Sequence, residues 1–177
     1  MYNFSYSEVA GSIFNYIDNY TLINCVGADF ALNYGLGQFF QARYSTRDEL
    51  RQAFPHYQWQ GKGDCLLTNE NKVANLVIKR VSAEKASRKC IVESLLKLRD
   101  LCEEKGIKKI AMSRICTGYD GYEWQEIHDI IIDIFQSAYI EIKVIYLQEY
   151  LDLTVLDGDA DALEFKNRQS DLSKKYF

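Results

Sequence analysis

Lys109-Ile110-Ala111-Met112-Ser113-Arg114-Ile115 is followed by Cys116-Thr117-Gly118-Tyr119-Asp120-Gly121-Tyr122, and then by Trp124, Ile127, Ile130, Ile131, Ile134 and Phe135 at helical spacing. The first run is apolar enough for a buried strand over Lys109 to Ile115, and the second is a glycine-bearing loop. The third is an amphipathic helix whose apolar stripe recurs every three or four residues. Strand, loop and helix in immediate succession are one unit of an α/β fold, in which ligands sit beyond the carboxyl ends of the strands.

Working outward, Thr21 to Val26 reads as a short buried strand, followed by a small-residue loop from Gly27 to Gly37. Leu36 to Tyr44 is amphipathic, and Thr46-Arg47-Asp48-Glu49 offers a capping-box start for a further helix that stops before Pro55. Asp64 to Asn69 and Val73 to Arg80 form a hairpin about the polar turn Asn69-Glu70-Asn71-Lys72. From Ser87 to Lys105 the residues Ile91, Leu95, Leu98 and Cys102 keep helical spacing, and Gly106 supplies the stop. Ile140 to Leu147 closes the set as a strand. The expected architecture is a three-layer α/β/α sandwich on a mixed central sheet over residues 1–147. Residues 148–177 form an acidic, then mixed-charge, C-terminal extension with helical potential.

The 177 residues suit one domain, and their 47% hydrophobic content supplies a substantial core. A net charge of −4 argues against generic nucleic-acid binding, which draws on a basic excess. A small anion remains compatible, because backbone N–H groups at a helix start hold phosphate without excess cations. The five cysteines, Cys25, Cys65, Cys90, Cys102 and Cys116, are scattered without a Cys-x-x-Cys pair or a zinc-like cluster, so reduced thiols and no metal are expected. No apolar run of membrane-spanning length and no leader-like start is present, and the expectation is an intracellular, cytoplasmic protein without membrane contact.

Two loops carry candidate chemistry. In the first, Gly35-Leu36-Gly37 precedes a helix whose amides can meet a phosphate, although the same glycines serve a plain connector equally well. In the second, Gly118 and Gly121 flank Asp120 just before a helix, a nest for a diphosphate or a simple aspartate turn. Lys79 follows Leu76-Val77-Ile78 at a strand end, where an amine is either solvated or partly desolvated and nucleophilic. His56 and His128 have no partner set for a triad or metal centre.

Taken together, Leu76-Val77-Ile78-Lys79-Arg80, the helix Ser94 to Cys102, Met112-Ser113-Arg114-Ile115 and Gly118-Tyr119-Asp120 before Trp124 resemble the macro-domain family. The likeness is greatest to the terminal ADP-ribose protein glycohydrolases and the antitoxin macro domains that reverse DNA ADP-ribosylation. It runs over about residues 5–147. Gly11-Ser12-Ile13-Phe14 looks like the family's adenosine-end segment, with Ser12 where an aspartate is usual. Asn24-Cys25-Val26 through Gly35-Leu36-Gly37 looks like its first phosphate loop, and Ser113 stands where a proline usually precedes Arg114.

The resemblance implies that Lys79 attacks the anomeric carbon of the distal ribose while Asp120 assists proton transfer. It implies substrate contacts from Gly11, Ser12, Ile13, Asn24, Gly35, Leu36, Gly37, Ile115, Cys116, Thr117, Gly118, Tyr119 and Gly121, with no metal or organic cofactor. The implied partner is ADP-ribose, an ADP-ribosylated protein carboxylate or DNA base, or an O-acyl-ADP-ribose. Two further readings go with it: a non-catalytic ADP-ribose reader, and a phosphatase of ADP-ribose 1″-phosphate.

Overall fold

The computed structural model describes residues 3–147. The expected extension, 148–177, lies outside the described residues.

The apolar run Thr21–Gly27 forms strand β2, buried along nearly its whole length. A strand covered on both faces must sit inside a sheet, and β2 pairs in parallel with β4 (Val73–Lys79) on one side and β5 (Lys109–Met112) on the other. Beyond β5 lie β6 (Glu141–Tyr146) and then β1 (Ser5–Ala10), both parallel. The antiparallel edge strand β3 (Asp64–Thr68) completes the order β1-β6-β5-β2-β4-β3. The mixed sheet is therefore five parallel strands plus the antiparallel β3, which makes the expected hairpin with β4.

Alternate residues of each strand face opposite sides. Leu22, Val26, Val73 and Val77 meet Phe40 and Leu50 of helices α1 (Gly35–Tyr44) and α2 (Thr46–Ala53), together with Ile13 of a short 3-10 helix, Ile13–Tyr16. Ile23, Leu76, Ile78 and Ile110 meet Ile91, Leu95 and Leu98 of α3 (Arg88–Lys105) and Ile127, Ile131 and Phe135 of α4 (Trp124–Phe135). Two apolar layers against one sheet make the three-layer sandwich. No helix among the described residues is long and apolar enough to cross a membrane.

Two expectations are corrected, and two elements went unread. Strand β1 and the 3-10 helix carried no clear sequence pattern, because β1 is a half-exposed edge strand in which Tyr6 and Val9 pack on opposite cores. The β5 strand stops at Met112, three residues early, and Ser113 to Ile115 already turn, with Ile115 N donating to Ser113 O at 2.8 Å. The capping box at Thr46 does not form. Ser45, at φ 52°, both ends α1 and starts α2, and the Thr46 hydroxyl donates back to Phe40 O at 3.2 Å. At α3 the cap does form, with Ser87 accepting from Cys90 N at 3.2 Å and Gly106 closing the far end at φ 68°.

Helix α3 approaches the chain before β3 so closely that a Cβ on Gly63 would lie 2.0 Å from Cys90 O and 2.8 Å from Ser94 N. Both are helix backbone and cannot step aside. Gly63→Ala should therefore lower the unfolding free energy by about 1–3 kcal/mol through overpacking. Gly61→Ala, in open space at φ 75°, should cost only about 1 kcal/mol of backbone strain. Urea unfolding midpoints of the two variants measure the difference, and equal midpoints would refute this account of the α3 contact.

Candidate active site

Because β2, β4 and β5 run parallel, their carboxyl ends share one edge of the sheet, and three loops leave from it side by side. They follow Gly27, Lys79 and Met112. A cavity of about 430 Å³ lies among them, a size that suits a small-molecule ligand. The two glycine loops thus meet on one cleft.

Lys79 reaches the cavity through a local irregularity. Val26 pairs with Val77 but Gly27 pairs with Lys79, so the register skips Ile78, which packs into the core while Lys79 turns to the cavity. Lys79 Nζ lies 3.1 Å from Asp120 Oδ1, and the two side chains are only 11% and 10% exposed. The same carboxylate oxygen accepts from Ala86 N at 2.7 Å. The Tyr119 ring centroid is 5.0 Å from the amine, within cation–π range. Amine and carboxylate line the cavity, joined by a hydrogen bond and largely screened from bulk water.

The segment between β4 and α3 holds both glycine loops. On one side Asp29 accepts from Ser82 N at 3.0 Å and from Ser82 Oγ at 2.7 Å. On the other, the hydroxyls of Tyr119 and Tyr122 donate to Ala83 O and Ala86 O. Gly27 is required here, since a Cβ would sit 2.6 Å from Ser82 N. Ser82 and Ala83 line the cavity, and no pattern in the sequence marks them, because their contacts are mostly made through backbone atoms.

Helix α1 begins at Gly35 with no side-chain cap from Tyr34. Gly35, Leu36 and Gly37 line the cavity, and the uncapped first-turn amides of such a helix favour an anion. Asn24 lines the cavity, 1% exposed, and its Nδ2 donates to Asn75 Oδ1 at 3.1 Å. Its Oδ1 is buried without a partner. A buried acceptor left free beside a cavity is available to a donor from a ligand.

Ile115, Cys116, Gly118 and Tyr119 also line the cavity, as the loop reading expects. Thr117 does not, and its hydroxyl donates to Arg114 O at 2.7 Å. Gly121 serves the turn at φ 74°, its N–H bonding Gly118 O at 3.1 Å. Gly11, Ser12 and Ile13 follow β1 on the same edge of the sheet but do not line the cavity. Gly11 N bonds Tyr146 O, Ser12 precedes the 3-10 helix without a side-chain cap bond, and Ile13 is core. Among the described residues no group of three or more His, Cys, Asp or Glu side chains suits a metal ion.

No protein-family model matches the chain. Over 136 residues it is 23% identical to the ADP-ribose glycohydrolase OARD1 of Bos taurus, covering 77% of this chain and 88% of that protein. The Homo sapiens protein of the same name is 22% identical over the same length. Among solved structures, the macrodomain of Thermus aquaticus DarG superposes with a TM-score of 0.68 at 17% identity, over 81% of this chain and 99% of that one. Thermosipho africanus DarTG, solved in complex with ADP-ribose, superposes with a TM-score of 0.62 at 17% identity, over 82% of this chain and 42% of that one. With its sheet order, two helical layers and cleft at the carboxyl edge, the chain is a macro domain by fold, similar in sequence to the OARD1 glycohydrolases.

Proposed function

We propose that this macro domain is an ADP-ribosyl hydrolase that releases terminal ADP-ribose from a modified macromolecule through a covalent lysyl intermediate. The observation that carries the reading is the Lys79–Asp120 pair, 3.1 Å apart in the cavity lining. Its partners in the reading are the uncapped start of α1 and the free Asn24 oxygen. Support from outside the chain is its likeness to two proteins named ADP-ribose glycohydrolase and to a macrodomain protein solved with ADP-ribose.

In this reading the α1 amides and the loop around Gly118 hold the diphosphate, and the distal ribose lies against Lys79. An ammonium has no lone pair, so Lys79 first passes a proton to Asp120, the base within hydrogen-bond reach. The amine then attacks the anomeric carbon. The carbon–nitrogen bond forms as the bond to the leaving carboxylate or base breaks, and the leaving group takes a proton from the attacking nitrogen; Asp120 then gives its proton to the ring oxygen as the sugar opens to a protonated imine. Water adds to that imine, the carbon–nitrogen bond breaks, and free ADP-ribose leaves with Lys79 restored. Two moderate barriers replace one high one. Burial of the pair keeps water from competing before the ribose arrives.

The attached macromolecule is a protein carboxylate or a DNA base, the latter in the manner of an antitoxin acting against a DNA-modifying transferase. Parallel assays on both substrates decide between them. Lys79→Ala and Asp120→Ala should each lower turnover by about 10²–10⁴-fold while altering ADP-ribose affinity far less. Wild-type turnover in both variants would reject the mechanism. Tight ADP-ribose binding by calorimetry with no turnover of any substrate would make the protein a reader, and release of inorganic phosphate from ADP-ribose 1″-phosphate would make it a phosphatase.

Borohydride in the presence of ADP-ribose should reduce the imine and leave a stable adduct that peptide mass mapping places on Lys79. An adduct spread over exposed lysines, and absent from Lys79, would count against the intermediate.

A further inference from the structure

Tyr119 stands half in water, yet its ring is held at both ends. Its backbone sits in the turn that Gly121 N closes on Gly118 O at 3.1 Å, and its hydroxyl donates to Ala83 O. A half-exposed side chain gains little from burial and ordinarily keeps its rotamer freedom, so a ring fixed in this way serves a neighbour rather than the core. That neighbour is Lys79. Its Nζ lies 5.0 Å from the ring centroid, on a largely buried side chain that lines the same cavity. Other cations also lie over rings, Lys109 over Tyr20 and Arg114 over Tyr146 among them, but those two side chains stand half in water, which competes for their charge. Cation–π attraction grows as water is withdrawn. We propose that Tyr119 is a third member of the reacting group, its ring face carrying the positive charge that forms on the Lys79 nitrogen while Asp120 is protonated.

The inference rests on the hydrolase reading and extends it at one step. In the resting pair the Asp120 carboxylate balances the ammonium directly. Once Asp120 has taken the proton it is neutral, and the nitrogen then becomes positive as it bonds to the anomeric carbon. At that moment the pair has no counter-ion. The ring keeps its negative face throughout, because it exchanges no proton, and it is already beside the nitrogen before the reaction starts. A group fixed in advance toward the place where charge develops stabilises the transition state without a cost of reorganisation. The same face meets the protonated imine that follows, now together with the restored carboxylate.

A ring at a cavity can also be a plain contact for the ligand, and the two roles respond to different changes. A ligand contact depends on the size and shape of the ring, whereas charge stabilisation depends on its electrons. Tyr119→Phe keeps the ring and frees Ala83 O, whose hydrogen bond is exposed and passes to water. Tyr119→Leu removes the ring. 3,4,5-Trifluorophenylalanine at position 119 keeps the ring's shape and depletes its negative face.

The test incubates the full-length protein with ADP-ribose and cyanoborohydride, which reduces a protonated imine, and follows the rate of adduct formation on Lys79 by peptide mass mapping. Calorimetry without the reductant gives the ADP-ribose affinity of each variant. Tyr119→Phe should hold the rate within about 3-fold of the wild type. Tyr119→Leu and the trifluorinated ring should each lower it by about 10-fold, equivalent to about 1.4 kcal/mol, while the affinity changes by less than about 3-fold. An unchanged rate with leucine or with the trifluorinated ring overturns the proposal. So does a loss of affinity as large as the loss of rate, or a phenylalanine variant as slow as the leucine one. If the wild-type protein forms no adduct on Lys79, the hydrolase reading fails and this inference with it; if the wild type reacts and the variants match it, the inference fails alone.

Discussion

An ammonium and a carboxylate taken out of water cost more than their attraction returns unless their remaining hydrogen-bonding capacity is met. The Lys79–Asp120 pair satisfies that condition with contacts from the protein itself. Asp120 receives a second bond from Ala86 N, and Lys79 lies near the Tyr119 ring, so the pair is held without an external ion. Each of these contacts comes from a different stretch of chain, and the pair survives only if those stretches keep their relative positions. The geometry of the cleft follows from that requirement.

The sheet meets part of it by running β2, β4 and β5 in one direction, so that their exits are neighbours. The segment between β4 and α3 meets the rest. It touches the first glycine loop through Asp29 and Ser82, and the second through Tyr119, Asp120 and Tyr122, at sequence separations of 34 to 53 residues. Gly27 lets this segment lie directly on β2. The skipped register at Ile78 turns Lys79 toward the same point, and so a small irregularity in one strand decides which side chain faces the cavity.

The elements legible in the sequence were those whose pattern is also their packing. The nearly continuous buried run of β2, and the stripes Ile91, Leu95, Leu98 and Cys102 and Ile127 to Phe135 that face the sheet, are apolar surfaces readable from spacing. The half-exposed edge strand β1 presents no such surface and was illegible. Thr46 has the right residue type for a cap but the wrong direction, because a left-handed Ser45 rotates its hydroxyl back onto α1. Lys79 and Asp120 stand at a strand end and in a glycine turn, places that leave a plain structural role open, and only the family resemblance singled them out. The clamp between them was not legible, since Ala83 and Ala86 act through carbonyl and amide groups that every residue possesses.

The unpaired oxygen of Asn24 also bears on selectivity among occupants of the hollow. Water or a hydroxyl can satisfy it, whereas a ketone, an ether or bare carbon pressed against it leaves a desolvated lone pair unanswered. Sites built around such an atom discriminate asymmetrically: they tolerate an alcohol and reject its deoxy counterpart, because the penalty falls on the protein's own stranded group rather than on the compound. In the proposed reading the asparagine therefore favours a hydroxyl-bearing occupant, a preference that requires no charge and no movement.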